Sequence, residues 1–230
     1  MNPIRDEWRS DDGQHRLILG DALEVLPTLS GIDAVVTDPP YYVKGAMISG
    51  GGDGWMPGRK AVMGWNEGRE GRVVQLADAA PLVAIWGGNY HAMPVSRGWL
   101  VWHKPDAVAT MANAELCWTN QNRNTKQLSW SIAATNAERV GHPTQKPLRV
   151  MEWTMEELCV SKDSNVVDPF MGSGTTGVAC IRTGRRFIGV EIERKYWETA
   201  VRRVKAELER FPLFEAAKPR QLELLDSGGG

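Results

Sequence analysis

Residues 165–193 read NVVDPFMGSGTTGVACIRTGRRFIGVEIE, a spacing suited to holding a small molecule by a carboxylate at one end and by hydroxyl groups at the other. Val166 and Val167 begin an apolar run that Asp168-Pro169 breaks; Gly172 and Gly174 then permit a tight turn and close approach of a ligand to the backbone. A helix is predicted from about Thr175 to Arg182, its first-turn N–H groups free to meet a ligand carboxylate and Gly184 closing it. Phe187 to Ile192 forms a second apolar strand ending on Glu191 and Glu193, where a carboxylate accepts hydrogen bonds from ribose hydroxyls. A Gly-x-Gly turn after a strand also serves nicotinamide, flavin and purely structural turns, so alone it leaves the ligand open.

A second stretch narrows the choice. Asp38-Pro39-Pro40-Tyr41 closes another apolar strand, Ile32 to Thr37. DPPY together with DPF-x-GSGT resembles the amino-methylating DNA methyltransferases that use S-adenosylmethionine, and the resemblance covers most of the chain. DPPY precedes GSGT here, which is similar to the permuted order called the β class. The resemblance implies direct methyl transfer from a sulfonium to an exocyclic amino nitrogen, without metal or covalent enzyme intermediate. The Asp38 carboxylate and Pro39 carbonyl would then accept hydrogen bonds from that amino group, and Tyr41 would stack on the base, with Pro40 completing the catalytic tetrapeptide. A duplex hides the nitrogen, so the base must flip out, at a cost of a few kcal/mol. Asp at the head of the tetrapeptide resembles adenine-N6 enzymes, whereas cytosine-N4 enzymes more often begin it with Ser; N4-cytosine methylation is the runner-up.

Other stretches extend the resemblance. Gly20-Asp21-Ala22-Leu23-Glu24-Val25-Leu26 turns into a helix that Asp21 caps, and GD-x-x-x-x-L also resembles the family motif whose Asp meets the donor adenine. His142-Pro143-Thr144-Gln145-Lys146-Pro147 opens a helix over Leu148 to Leu158 and resembles the motif beside the methionine end of the donor, where Lys146 could meet a carboxylate. The implied donor pocket is Asp21, Lys146, Asp168, Phe170, Gly172, Gly174, Thr175, Thr176 and Glu191, with Glu191 preferred over Glu193 at the strand end.

The elements that must position these groups follow from apolar periodicity. Strands are predicted at His15 to Gly20, Leu82 to Trp86, Gly98 to His103 and Glu115 to Trp118, with helices at about Arg72 to Ala79 and Arg194 to Arg210. At 230 residues the chain suits one catalytic α/β domain, residues 1–230. The family pattern implies a Rossmann-like methyltransferase fold: a mainly parallel seven-stranded sheet with one reversed strand and helices on both faces.

Lys and Arg number 27 against 28 Asp and Glu, so the net charge of −1 does not advertise a nucleic-acid binder. Distribution matters more. Residues 43–71 are rich in glycine and carry Lys44, Arg59 and Lys60, which suits a lid that orders on DNA. Residues of about 104–142 form a small target-recognition region, in which Arg123, Lys126 and Arg139 are candidates for DNA contact. So small a region favours double-stranded DNA held by a homodimer, and a partner restriction endonuclease is compatible with the family. Cys117, Cys159 and Cys180 show no metal spacing and are expected as buried thiols. No apolar run is long enough to span a membrane and no signal peptide is evident, so the expected location is cytoplasmic. A catalytically idle DNA-binding regulator and a nicotinamide oxidoreductase are weaker readings; the second leaves DPPY unexplained.

Overall fold

The computed structural model describes residues 3–40, 42–43, 46–47, 73–137 and 145–210. Its centre is a nine-stranded sheet built from β1 (Ile4–Arg9), β2 (His15–Gly20), β3 (Ala34–Thr37), β6 (Leu82–Trp86), β7 (Trp99–His103), β8 (Ala114–Thr119), β9 (Lys126–Ser129), β10 (Asn165–Asp168) and β11 (Arg186–Glu191). The order across the sheet is β1-β2-β11-β10-β3-β6-β8-β7-β9. Two-residue strands β4 (Tyr42–Val43) and β5 (Ala46–Met47) form a separate antiparallel pair. The five strands from β2 to β6 are mutually parallel, β8 runs against both its neighbours, and β1 runs against β2.

Seven strands with one reversed is therefore the interior of the sheet, and β1 and β9 extend it at the two edges. Both were missed for one reason. IRDEWR and KQLS are mostly polar because an edge strand buries little; β9 has three exposed residues of four. The central strands read as apolar runs because both of their faces are covered. In β3 all four residues are buried, and alternation sends Val36 to one face and Val35 to the other.

Helices α3 (Leu148–Glu157), α4 (Thr175–Arg182) and α5 (Arg194–Arg210) cover the face that carries Val36, Val166 and Phe187, where Phe187 is fully buried. Burying a side chain of that size stabilises the fold by about 2–3 kcal/mol. The other face is covered by a 3-10 helix over Val73–Asp78 and by Leu26 and Leu29, which follow the short α1 (Ala22–Val25). A short helix α2 (Ile132–Ala137) follows β9. Among the described residues no helix is long and apolar enough to cross a membrane.

Helix ends follow the expected chemistry, with one surprise. Gly184 stands at φ 70 just past α4, and the Arg185 N–H reaches back to the Cys180 carbonyl. α3 closes in the same way, but the left-handed residue is Cys159, at φ 56, with the Val160 N–H on the Met155 carbonyl. Cys159 is consequently exposed, whereas Cys117 and Cys180 are buried as expected. The turn overrides the apolar context: a residue in the left-handed position of such a cap points its side chain away from the helix.

Candidate active site

Topology creates the site. From β10 the chain passes through α4 to β11 on one side, whereas from β3 it passes to β6 on the other. β10 and β3 are adjacent and parallel, with Val166 opposite Ala34 and Val167 opposite Val35. Their carboxyl ends open together at the point where the winding reverses, the usual ligand crevice of an open α/β sheet. Asp38 leaves one strand there and the glycine turn leaves the other.

Asp168 braces the turn. It is 3% exposed, and its Oδ1 accepts from Thr37 Oγ1 at 2.7 Å and from the Phe170 N–H at 3.0 Å, while Oδ2 accepts from Thr176 Oγ1 at 2.6 Å. Burial pushes its pKa up to about 6 against the pull of these donors. Arg203 of α5 donates to the Ser173 carbonyl at 2.8 Å and reaches Thr175 Oγ1 at 3.2 Å. The Thr175 and Thr176 hydroxyls are thus engaged within the protein, and what the turn presents to a ligand is mainly backbone. Gly174 at φ 82 precedes α4 with no side chain capping the helix; a Cβ there would lie 2.9 Å from that of Ala200.

Glu191 closes the far wall. Its Oε2 accepts from the Gly172 N–H at 3.0 Å and its Oε1 from the Glu193 N–H at 2.8 Å, leaving further lone pairs for hydroxyl donors. Burial raises its pKa to about 7, the backbone donors notwithstanding. Asp21 caps α1 by accepting from the Leu23 N–H at 3.0 Å; it follows β2, whose Leu19 pairs with Glu191, so both acids stand at the same edge.

Asp38 sits in a cluster of four charges. Lys146 Nζ lies 2.9 Å from Asp38 Oδ2 and 2.7 Å from Glu115 Oε2, and Lys104 pairs with the other Glu115 oxygen. Lys146 is only 7% exposed and also lies 5.5 Å over the Trp86 ring. Asp38 Oδ1, in contrast, is buried and has no hydrogen-bond partner among the described residues. Burial raises the Asp38 pKa, Lys146 opposes that shift and Glu115 adds to it. Burial would raise Glu115 too, but Lys146 and Lys104 outweigh it and hold its pKa at about 2.

The structure thus brings Asp38, Pro39, Pro40, Lys146, Asp168, Phe170, Gly172, Gly174, Thr175, Thr176, Glu191 and Asp21 to one edge of the sheet. Lys146, read from sequence as a ligand for the donor, turns its ammonium to Asp38 and Glu115. Arg123 lies elsewhere: it donates to the Glu157 carbonyl at 2.8 Å, at the far end of α3, about 15 Å along the helix from Lys146. Lys126 opens edge strand β9 and is exposed. Tyr41, Lys44, Arg59, Lys60 and Arg139 lie outside the described residues, as does the proposed lid apart from the backbone of Val43, Ala46 and Met47. Sequence reasoning missed Lys104 and Glu115, although an acid heading the apolar run ELCW was a signal that a buried partner must exist.

Residues 95–202 match a DNA methylase family. The matched segment includes Lys104, Glu115, Lys146, the glycine turn and Glu191, whereas Asp38 precedes it. The type II methyltransferase M2.DpnII of Streptococcus pneumoniae is 48% identical over 69 residues, 30% of this chain and 25% of that relative, so the aligned part spans about a quarter of that protein. The putative methylase YubD of Escherichia coli (strain K12) is 27% identical over 213 residues, 83% of this chain and 90% of YubD. Two solved structures share the fold. The complex of M1.HpyAVI with SAM has a TM-score of 0.56 at 23% identity, covering 83% of this chain and 98% of its own. The cytosine-N4-specific PvuII DNA methyltransferase also has a TM-score of 0.56, at 16% identity, covering 85% and 92%.

Proposed function

We propose that the protein transfers a methyl group from S-adenosylmethionine to N6 of a flipped adenine in double-stranded DNA. The observation that carries this reading is Asp38 Oδ1: a buried carboxylate oxygen without a partner among the described residues, on a strand end adjacent to the glycine turn. Leaving such an acceptor unpaired costs about 1–3 kcal/mol, which an entering amino group recovers by donating to it.

The residues present fit the donor. The turn offers backbone N–H groups at the uncapped start of α4 for a carboxylate, and Glu191 has acceptor capacity for ribose hydroxyls. When bound, the donor supplies a methyl group on a positively charged sulfur. Asp38 Oδ1 and the Pro39 carbonyl accept the two amino hydrogens, which localises on nitrogen the lone pair otherwise delocalised into the ring. As the N–C bond forms and the S–C bond breaks, the nitrogen must release one proton. Asp38 Oδ1 is in place to take it, and burial has already raised its proton affinity. Alignment of nitrogen and methyl carbon at about 3–3.5 Å supplies much of the acceleration.

Adenine is favoured over cytosine by Asp38 at the head of the tetrapeptide. The fold shared with the cytosine-N4-specific PvuII enzyme supports N4-cytosine as the second reading. Nucleoside mass spectrometry of DNA incubated with protein and donor tests both. N6-methyladenine is the expected product; N4-methylcytosine alone would overturn the base assignment, and unmodified DNA would overturn the transfer reading. Light scattering tests the companion proposal of a homodimer, which a monomer both free and on DNA would refute.

A further inference from the structure

Among the described residues Asp38 is held by one oxygen only, and the group that holds it is itself held. Lys146 Nζ bridges Asp38 Oδ2 at 2.9 Å and Glu115 Oε2 at 2.7 Å, and Lys104 engages Glu115 from the other side. The four come from three places: the end of β3, the start of α3, and the β7–β8 hairpin, where Lys104 follows β7 and Glu115 lies on the reversed strand β8. β7 pairs with β8 through five residues, from Trp99 opposite Trp118 to His103 opposite Ala114, so the hairpin is a stiff mount. Lys104 lies 4.6 Å over the Trp102 ring, which fixes the outer end of the row.

We infer that Glu115 and Lys104 are positioning residues: through Lys146 they fix the rotation of the Asp38 carboxylate, so that Oδ2 is occupied and Oδ1 remains the sole acceptor for the target amino group. This deepens the function proposed above and rests on it. A lysine on a flexible stem does not by itself choose which carboxylate oxygen it meets. Clamped between two acids, it has one place to stand. The alternating row of charges −, +, −, + also sums to zero, which lowers the cost of holding the four groups partly out of water.

The charges facing Asp38 are Lys146 from the segment just before α3, Glu115 from β8, Lys104 beyond β7 and Asp168 from β10, with the neutral Cys117 thiol on β8 nearby. Their signs give the row a signature that a purely structural role would not have. Lys146→Gln removes an adjacent positive charge and should raise the Asp38 midpoint by about one to three pH units. Lys104→Gln should raise it less, being farther along. Glu115→Gln removes a like charge and should lower it. The measurement is 13C NMR titration of the Asp38 carboxyl carbon in donor-free protein, assigned with Asp38→Asn. In parallel, Glu115→Gln should reduce kcat by about tenfold to a hundredfold, because the acceptor is misaligned, with KM for the donor nearly unchanged.

Midpoints that move in these opposite directions, with the loss confined to kcat, support the inference. Equal midpoints in parent and variants would overturn it, as would a donor KM that rises as much as kcat falls. Should Glu115→Gln fail to fold, Lys104→Gln carries the same test, and an unmoved midpoint there overturns the row. If midpoints shift as expected while even the parent protein leaves DNA unmethylated, the charge row stands and the proposed function fails.

Discussion

Glu191→Gln separates the cost of burying this acid from the use proposed for it. In the folded protein burial raises the Glu191 pKa to about 7, against an ordinary value of 4.5. Below pH 4.5 the group is protonated in both folded and unfolded chains and costs nothing. As pH rises through 7 the folded protein must ionise it in a poorly solvated site, so stability present at low pH is lost on the way up. For those two values the loss between pH 4 and pH 8 is about 3 kcal/mol. Glutamine does not titrate and keeps the size of the side chain. It also replaces one acceptor by an amide donor facing a backbone N–H, but that penalty is independent of pH. The difference in unfolding free energy, variant minus parent, should therefore rise by about 3 kcal/mol from pH 4 to pH 8. Urea denaturation at several pH values measures it, with other groups such as Asp168 common to both proteins. Parallel stability curves, or a difference that falls with pH, would refute the account of Glu191 as a buried and strained acid. If ribose hydroxyls donate to this carboxylate, donor binding should release protons near pH 7 and tighten as pH rises, and the variant should lose both effects.

Asp38→Asn should abolish methyl transfer while calorimetric affinity for the donor changes little, because in the proposed function Asp38 meets the base and not the donor; a matching loss of donor affinity would count against its role. Gly174→Ala should destabilise the fold by about 2–3 kcal/mol, seen as a lower melting temperature, since φ 82 disfavours any Cβ and the new methyl would meet Ala200 at 2.9 Å. Cys159→Gly should raise stability by about 0.5–1 kcal/mol by relieving the left-handed residue at the end of α3, and an unchanged denaturation midpoint would show that the cap carries no strain.

The parts of this fold that were legible in sequence are those whose residue types answer to a local constraint. Gly184 after α4 and the apolar runs of β2, β6, β10 and β11 announce themselves because one turn or two covered faces demand those residues. β1 and β9 were not legible, since an edge strand can be polar and its pairing is decided by the neighbour it finds. Asp38 and Glu191 were singled out by their motifs. The setting of Asp38 was not, because Lys104, Glu115 and Lys146 are brought together only when β8 reverses into the sheet and the segment just before α3 comes to lie against Glu115. Lys146 shows the limit well: its motif marked it as functional, yet only tertiary structure shows which carboxylates it meets.

Asp168 ties the two halves of the crevice to one carboxylate, through Thr176 in the first turn of α4 and through Thr37, the residue just before Asp38. In the proposed function, a displacement of the helix that would receive the donor is thereby felt at the strand end that would receive the base. Thermodynamic linkage then runs both ways: whatever factor by which donor tightens the hold on an extruded base, the base must tighten the hold on donor equally. Product release inherits the same bond. Once the methyl group has gone, loss of the spent donor's contacts at α4 and loss of the modified base at Asp38 favour each other, so turnover would read as one cooperative opening instead of two independent departures.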